Sequence, residues 1–286
     1  MAVIGFIPAR GGSKSIPKKN IQLINGKPLI YWSSLALQAS SEVDEFYIAT
    51  DDDLIKEVVM SFGFDKLKVY DRLAENAQDH SSTESVLLEF ITQKELNSVD
   101  VLLLVQLTNP FLKAKWISEA LKSYTVNGYD SLLSVVLSKR FFWNRNGEPI
   151  NYNFRIRPRR QDFEGDYMEN GAFYINSVQN IVSSKNRLSG KIGLYEMPEY
   201  TGFEIDEPDD WIIVEALLKR YQDPNGIKKT FKDFKLIATD VDGVLTDAGM
   251  YYSEEGDELK RFSTYDGKAF ELFRELGCKS AILTAE

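Results

Sequence analysis

The chain has 286 residues, 43% of them hydrophobic and 27% charged, a balance that supplies a packed core and excludes an intrinsically disordered protein. Its 43 acidic against 34 basic residues leave a net charge of −9, which excludes a general nucleic-acid or acidic-membrane binder, so any anion site has to be local. The single cysteine, Cys278, permits no internal disulfide, and no run reaches the roughly 20 apolar residues of a membrane span.

The opening "MAVIGFIPAR" has no charged lead and no signal-like apolar segment; it reads as a buried strand over 3–8, and a cytoplasmic protein is expected. Further strands are expected at 45–50, 68–72, 101–106 and 131–136, with helices at 28–40, 52–62, 83–97 and 114–127 between them. Pro28 at the first helical position and Thr50-Asp51 before the second helix are start signals. This alternation predicts an α/β fold, a doubly wound, mostly parallel sheet of Rossmann type whose ligands sit at the carboxyl ends of the strands. From 138 to 170 the rhythm breaks into a stretch rich in aromatics, arginines and turn residues, which predicts an insertion of hairpins. Strands at 172–176 and 192–197 and a helix from Pro208 to Tyr221 resume the pattern. "QDPNGIKKT" resembles a linker, and "KLIATDVDG" opens a second unit. The expected organisation is a domain over 1–221, a linker over 222–231 and a smaller unit over 232–286.

Residues 8–20, "PARGGSKSIPKKN", set two glycines and three lysines directly after the first strand. A Walker A loop needs four residues between its first glycine and Gly-Lys-Ser/Thr, with the lysine opening a helix. Gly11-Gly12-Ser13-Lys14 is too short and Pro17 interrupts any helix, so this is not a P-loop. The chemistry still suits a polyphosphate: two glycines expose backbone N–H groups, and Arg10, Lys14 and Lys19 can surround several negative charges. An isolated match of this kind is more often a solvated basic turn; its place at the ligand edge of the sheet favours the anion site. The only histidine, His80, lies in a polar loop, so Ser–His–Asp and Cys–His mechanisms are not expected.

The stretch "IPARGGSKSIPKKN" resembles the N-terminal signature of the acylneuraminate cytidylyltransferases, the CMP-sialic acid synthetases. The resemblance recurs in order in "DRLAENAQDHSSTES" (71–85), "LLLVQLTNPFL" (102–112), "RPRRQDFEGDYMENGAFYIN" (157–176) and "EIDEPDDW" (204–211), and covers residues 1 to about 221. "RPRRQDF…ENGAFY" is most similar to the vertebrate type, which carries a phosphatase-like C-terminal domain. What the resemblance implies is a nucleotide-diphospho-sugar transferase-like fold and an Mg²⁺-dependent reaction joining a nonulosonic acid to CTP. In it the anomeric C2 hydroxyl attacks the α-phosphate and pyrophosphate leaves, a displacement in which positioning and electrostatics supply most of the rate. It also implies a homodimer through the 138–170 insertion, or a higher oligomer through the C-terminal segment, with neither nucleic acid nor membrane as partner.

Carried over residue by residue, the resemblance assigns CTP to Ala9, Arg10, Gly11, Ser13, Lys14, Lys19, Asn20, Arg72, Ser81 and Thr83. It assigns the sugar to Gln106, Arg160, Asn170 and Tyr174, the metal to Asp206 and Glu204, and catalysis to Arg10, Lys19 and Asp206. Other roles stand beside several of these. Arg72 could pair with Asp71 or Glu75 on the surface, and Gln106, polar at the tip of a buried strand, could cap the loop containing Asn109-Pro110. "RIRPRR" could be a solvated edge strand, although the planar fork of Arg160 suits a carboxylate. Asp206-Glu207 before Pro208, with Asp209 and Asp210, makes a good helix start, an account that leaves Glu204 unexplained. Residues 204 and 206 of an extended segment point the same way, so their carboxylates can converge on one Mg²⁺. The family usually has Asp-x-Asp here; Glu204 departs from it, and its longer side chain suits a contact through water.

"DVDGVLTD" (240–247) resembles the first motif of the haloacid-dehalogenase phosphatases, with Asp240 as nucleophile, Asp242 as general acid/base and Thr284 as the second-motif hydroxyl. The following stretch is similar to the Kdo-8-phosphate phosphatase branch. The later lysine and acidic ligands do not occur in the sequence, so no phosphatase turnover is expected and a role in assembly remains open. Two other functions compete with the main reading: a CMP-Kdo synthetase and a non-catalytic CTP-binding scaffold. Turnover of each acid with CTP separates all three.

Overall fold

The structure, a computed structural model, describes residues 1–12, 15–76, 81–221, 235–242, 244–247, 249, 251–275 and 277–283. Ser13, Lys14, His80, the expected linker over 222–231 and Thr284 lie outside the described residues. Two compact units are present, residues 1–223 and 224–286.

In the first unit, β1 (Val3–Pro8) carries a buried apolar run, and a Cβ on its Gly5 would come within 2.6 Å of the Cβ of Phe46, so close packing of neighbouring strands requires glycine there. A hairpin of β2 (Leu23–Ile24) and β3 (Lys27–Pro28) turns on Asn25 and Gly26, both at positive φ, the usual chemistry of a two-residue turn. Pro28 is the N-cap of α1 (Leu29–Ala39) and not its first helical residue. Strict alternation follows through β4 (Glu45–Thr50), α2 (Asp53–Met60), β5 (Leu67–Asp71), α3 (Thr83–Gln93), β6 (Val101–Val105), α4 (Ala114–Val126) and β7 (Ser131–Ser138). The Asp52 side chain starts α2 by accepting from the amides of Leu54 and Ile55, and Ser82 starts α3 by accepting from that of Ser85. β8 (Asp166–Ser177), α5 (Val178–Ser184), β9 (Ile192–Met197) and α6 (Pro208–Tyr221) complete the unit.

Seven strands form one sheet in the order β5-β4-β1-β6-β8-β7-β9; β8 alone runs antiparallel to its neighbours. One face is covered by α1, α2 and α4 through Ile30, Leu37, Ile55, Val59, Ile117 and Leu121, the other by α3 and α5 through Val86, Phe90, Val178 and Ile181. The doubly wound α/β fold is therefore the one that the alternation predicts. The chain travels outward from β1 to β4 and β5, then returns to the other side of β1 with β6. The switch point between β1 and β6 is where such sheets open a crevice.

Two expectations need correction. β8 starts well before residue 172: residues 166–169 are exposed, and pair with Val135–Ser138 of β7 without presenting an apolar run. Between β7 and β8 the expected hairpins reduce, among the described residues, to one short one around the antiparallel bridge of Trp143 to Pro149, where the Asn144 amide donates to the Glu148 carbonyl at 2.9 Å and the Ile150 amide to the Phe142 carbonyl at 2.8 Å. A 3-10 turn at Phe154–Ile156 follows. Ring packing of Phe141 with Tyr152 and Phe163, at 4.3 and 5.0 Å between centroids, organises the rest.

In the second unit, β10 (Leu236–Asp240) pairs in parallel with β13 (Lys279–Leu283). Between them come the hairpin of β11 (Tyr251–Tyr252) and β12 (Glu258–Leu259) and the helix α7 (Thr264–Glu275). Asp240 ends β10, and the carboxylate of Asp242 is 3.0 Å from the Lys260 ammonium. Cys278 is buried and unpaired. No helix among the described residues is long and apolar enough to cross a membrane.

Candidate active site

A cavity of about 350 Å³ opens at the switch point. The loop after β1 supplies Arg10, Gly12, Lys19 and Asn20; the exit of β5 supplies Arg72; the start of α3 supplies Ser81, Ser82 and Thr83; the exit of β6 supplies Gln106 and Thr108. Segments far apart in sequence thus converge at the carboxyl ends of parallel strands, and a helix N-terminus adds its own preference for anions.

The shape of the basic loop follows from local bonds. Ala9, fully buried, prolongs the β1–β4 ladder by donating its amide to the Ala49 carbonyl at 2.8 Å. A Cβ on Gly11 would fall 2.6 Å from Oδ2 of Asp52, so a side chain here would displace the Asp52 carboxylate that caps α2, and the Gly11 amide donates to Oδ1 of Asp51 at 3.1 Å. Gly12 has open space where a side chain would be. Asn20, almost buried, uses its Nδ2 to hold the Arg10 carbonyl at 2.9 Å, so within this structure its amide shapes the loop. Ile16 anchors the far side of the loop in a separate apolar cluster with Trp32, Phe111, Ile205 and Val214.

Lys19 ties this loop to the segment before α6. Its Nζ donates to the Ile205 carbonyl at 2.7 Å and lies 3.5 Å from Oδ1 of Asp206. Asp210, whose carboxylate accepts from the amides of Asp206 and Glu207 at 3.0 and 2.8 Å, caps the start of α6; the Asp206 side chain is not the cap. Glu204 accepts from the Thr108 hydroxyl at 3.0 Å. Burial pushes its carboxyl above the ordinary range, with repulsion from Asp206 and Glu169 adding to the effect and the Thr108 bond and Lys19 opposing it.

Arg72 donates its amide to the Thr50 carbonyl at 3.2 Å and its guanidinium to the Asn76 carbonyl, whereas its buried Nε has no partner among the described residues. It forms no ion pair with Asp71, which is bonded to Lys56 at 2.6 Å. Burial lowers the guanidinium pKa, opposed by the charges of Asp51 and Glu89. Ser81 donates its hydroxyl to the Glu75 carbonyl at 3.2 Å. The side chain of Gln106 has no hydrogen-bond partner among the described residues, and Asn109, not Gln106, stitches the following loop, donating to the carbonyls of Asn170 and Thr201 at 2.6 Å each.

The remaining expected sugar residues do not line this cavity. Asn170 is fully buried and donates to the Thr201 hydroxyl at 3.0 Å. Tyr174 is nearly buried, donates to Glu169 at 2.9 Å and packs under the Arg187 guanidinium. Arg160 stands exposed in the insertion, paired with Glu199 at 2.8 Å. Sequence reasoning missed Thr108, Ser82 and Gly171. A Cβ on Gly171, at φ +62°, would lie 2.4 Å from Glu204 Oε2 and 3.1 Å from Gln106 Oε1, so this glycine makes room for both side chains. The only sequence signal was the Asn170-Gly171 pair directly before the strand expected at 172–176, where a glycine can mark a close approach.

The two carboxylates of residues 204 and 206 fit a hard divalent cation. Glu204, raised chiefly by burial and further by the nearby Asp206, is a carboxylate whose charge such an ion would offset, and Mg²⁺ is commonly held by one or two carboxylates together with substrate phosphates. Among the described residues no group of three His, Cys, Asp or Glu side chains could hold a metal by itself.

The model of the family described as "Cytidylyltransferase" matches residues 4–229. N-acylneuraminate cytidylyltransferase A of Danio rerio is 35% identical over 98% of this chain, and the N-acylneuraminate cytidylyltransferase of Oncorhynchus mykiss 34% identical over 99%. The chain spans 65% of the length of each of these curated relatives. Among solved structures, CMP:2-keto-3-deoxy-manno-octonic acid synthetase complexed with CTP is similar at a TM-score of 0.56 and 19% identity, over 77% of this chain and 99% of that one, a likeness of fold.

Proposed function

The chain belongs to the cytidylyltransferase family, and we propose that it joins a sialic or closely related nonulosonic acid to CTP, giving the CMP-sugar and pyrophosphate. The observation that carries this reading is the convergence in one cavity of Arg10, Lys19, Asn20, Arg72, Ser81, Thr83 and Gln106, drawn from separate segments, beside the carboxylates of Glu204 and Asp206.

In the reaction, the C2 hydroxyl oxygen of the acid bonds to the α-phosphorus, the bond from that phosphorus to the β-bridging oxygen breaks, the hydroxyl proton is released, and pyrophosphate leaves. Arg10 and Lys19 face the triphosphate and stabilise charge growing on its oxygens, with Gly12, which also lines the cavity, offering its backbone as a neutral donor. Arg72 and the hydroxyls of Ser81 and Thr83, all lining the cavity, receive the cytidine. Gln106 offers its free amide to the sugar acid. Glu204 and Asp206 would hold Mg²⁺, which when bound neutralises phosphate charge. Lys19 links the two halves of the site: it touches the segment before α6 that carries both carboxylates, and so keeps the phosphate loop and the metal ligands in register.

Arg160 belongs to this reading as a carboxylate ligand supplied by the insertion, which exposes Trp143, Ile150, Phe154 and Ile156 and would pack against a second copy in a homodimer. The second unit is proposed as a haloacid-dehalogenase-like segment, supported by Asp240 at the end of β10 and Asp242 two residues on. Incubating the protein with CTP, Mg²⁺ and either N-acetylneuraminic acid or Kdo, with pyrophosphate as readout, tests the function. Higher kcat/KM for the nine-carbon acid is expected; preference for Kdo would replace the substrate, and CTP binding without turnover would support a scaffold.

A further inference from the structure

Glu89 lies on α3 with 8% of its surface exposed, one of two acidic residues, with Asp100, among the buried side chains of the described residues. Its helical neighbours Val86, Leu87, Phe90 and Ile91 are core residues, so an apolar side chain at 89 would simply extend that core. A carboxylate buried there is unfavourable unless its oxygens are satisfied. Among the described residues the hydrogen-bond donors to it are all uncharged. The Tyr70 hydroxyl donates to Oε1 at 2.6 Å, the Leu73 amide to Oε1 at 2.9 Å and the Asn76 side-chain amide to Oε2 at 2.5 Å.

All three donors come from the same short segment, the end of β5 and the turn after it, and they bracket Arg72. We propose that Glu89 is a positioning residue for the nucleotide, holding the 70–76 segment so that the Arg72 guanidinium faces the cavity; this rests on the assignment of that cavity to CTP. The relay is short. Glu89 fixes Asn76 through its side chain, and the Asn76 carbonyl in turn accepts from the Arg72 guanidinium and so sets its direction at the cavity wall. Tyr70 fixes the strand end from the other side, and burial, aided by Glu89, raises its phenol pKa so that it stays a donor. The charge of Glu89 also acts on Arg72 directly: with that of Asp51 it opposes the effect of burial on the guanidinium. An arginine carries only donors, so once its direction is set it presents them to the acceptor atoms of a base or ribose with little ordering left to do on binding.

The test uses the full chain with CTP and the sugar acid. Glu89→Gln keeps the shape and can still accept from Tyr70 and Leu73, but turns an amide group toward the donor of Asn76. It should raise KM for CTP about tenfold, the size of one lost charge-assisted hydrogen bond, while kcat and KM for the acid change less than about threefold. In an Arg72→Ala background the same substitution should add less than about twofold, because a residue acting through Arg72 has nothing left to act on. An unchanged KM for CTP in Glu89→Gln, beside a clear rise in Arg72→Ala, would overturn this inference and leave the cavity assignment standing. Equal multiplication of KM in both backgrounds would overturn it too. A silent Arg72→Ala would remove the inference and the cavity assignment together. Should Glu89→Gln not fold, Asn76→Ala, which leaves the helix intact, replaces it in the same cycle with the same expected pattern.

Discussion

Replacing Lys19 by methionine separates a structural strap from a triphosphate ligand, because the two roles differ in size. Lys19 has a side chain 14% exposed, donates to the Ile205 carbonyl at 2.7 Å and pairs at 3.5 Å with Asp206, whose side chain is 68% exposed. Methionine keeps the packing of the stem. Loss of the bond to Ile205 leaves that carbonyl without its partner, at about 1–2 kcal/mol. The pair with the exposed Asp206 adds about 0.5 kcal/mol at most after screening by water. The total, about 2 kcal/mol, corresponds to a fall in Tm of about 4–8 °C for a domain of this size. Against a typical stability of about 10 kcal/mol it leaves the protein folded at 25 °C. A cation removed from the developing charge of the transition state is worth about 3–4 kcal/mol, or roughly 10²–10³ in rate. Thus kcat/KM for CTP at 25 °C, followed by pyrophosphate release, should fall at least a hundredfold or so while thermal unfolding moves by a few degrees. A loss of activity below about fivefold, with the expected shift in Tm, would show that Lys19 only straps the loop to the 204–206 segment.

Three further outcomes follow from the same geometry. Asp206→Asn should raise the Mg²⁺ concentration for half-maximal rate by roughly tenfold or more, since a neutral amide is a poorer ligand for a hard cation. The cap of α6 survives because Asp210 provides it, so an unchanged Mg²⁺ titration would take Asp206 out of the metal site. Arg160→Ala removes an exposed ion pair with Glu199 and should leave Tm within about 1 °C, while raising KM for the sugar acid and not for CTP. Equal KM values for the acid would assign the arginine to the surface pair alone. Gly171→Ala sets a methyl group 2.4 Å from the Glu204 carboxylate at a left-handed φ of +62°, and should lower both Tm and activity. Recovery of Tm in Gly171→Ala/Glu204→Ala would identify the clash as the cause, and no recovery would leave backbone strain as the explanation.

The fold was legible because its elements carry local signals that tertiary contacts do not contradict. "VLLLV" is buried along its whole length in the middle of the sheet, and Asp52 and Ser82 cap the helices that follow them. The outer half of β8 was illegible for the converse reason: residues 166–169 face solvent, and only pairing with β7 makes them a strand. The same division runs through the site. Arg10, Lys19, Arg72 and Gln106 each stand just beyond an apolar strand or in the loop after one, where a polar side chain has no core to join and the sheet has its crevice. Glu89, Thr108, Asn109 and Gly171 escaped notice because their roles are set by partners distant in the chain. Thr108 meets Glu204 across 96 residues and Asn109 meets Asn170 across 61, separations over which no periodicity in the sequence reports.

The acidic balance of the chain and its cation-lined cavity belong together. Asp51 sits on the Gly11 amide, Asp206 beside Lys19 and Glu204 behind Thr108, so the basic loop is already partly neutralised by carboxylates from two other segments. A bare nucleotide triphosphate entering there meets these carboxylates as well as the cations, and the repulsion falls when a divalent ion enters with it. If the site takes Mg²⁺ as proposed, the acids do not oppose the anion site; they would favour a triphosphate carried with its metal. CTP should therefore bind more tightly with Mg²⁺ than with EDTA, and the difference should shrink in Asp206→Asn. Equal CTP affinity with and without Mg²⁺ in the unmodified protein, measured by titration calorimetry, would mean that the carboxylates of residues 204 and 206 do not face the triphosphate.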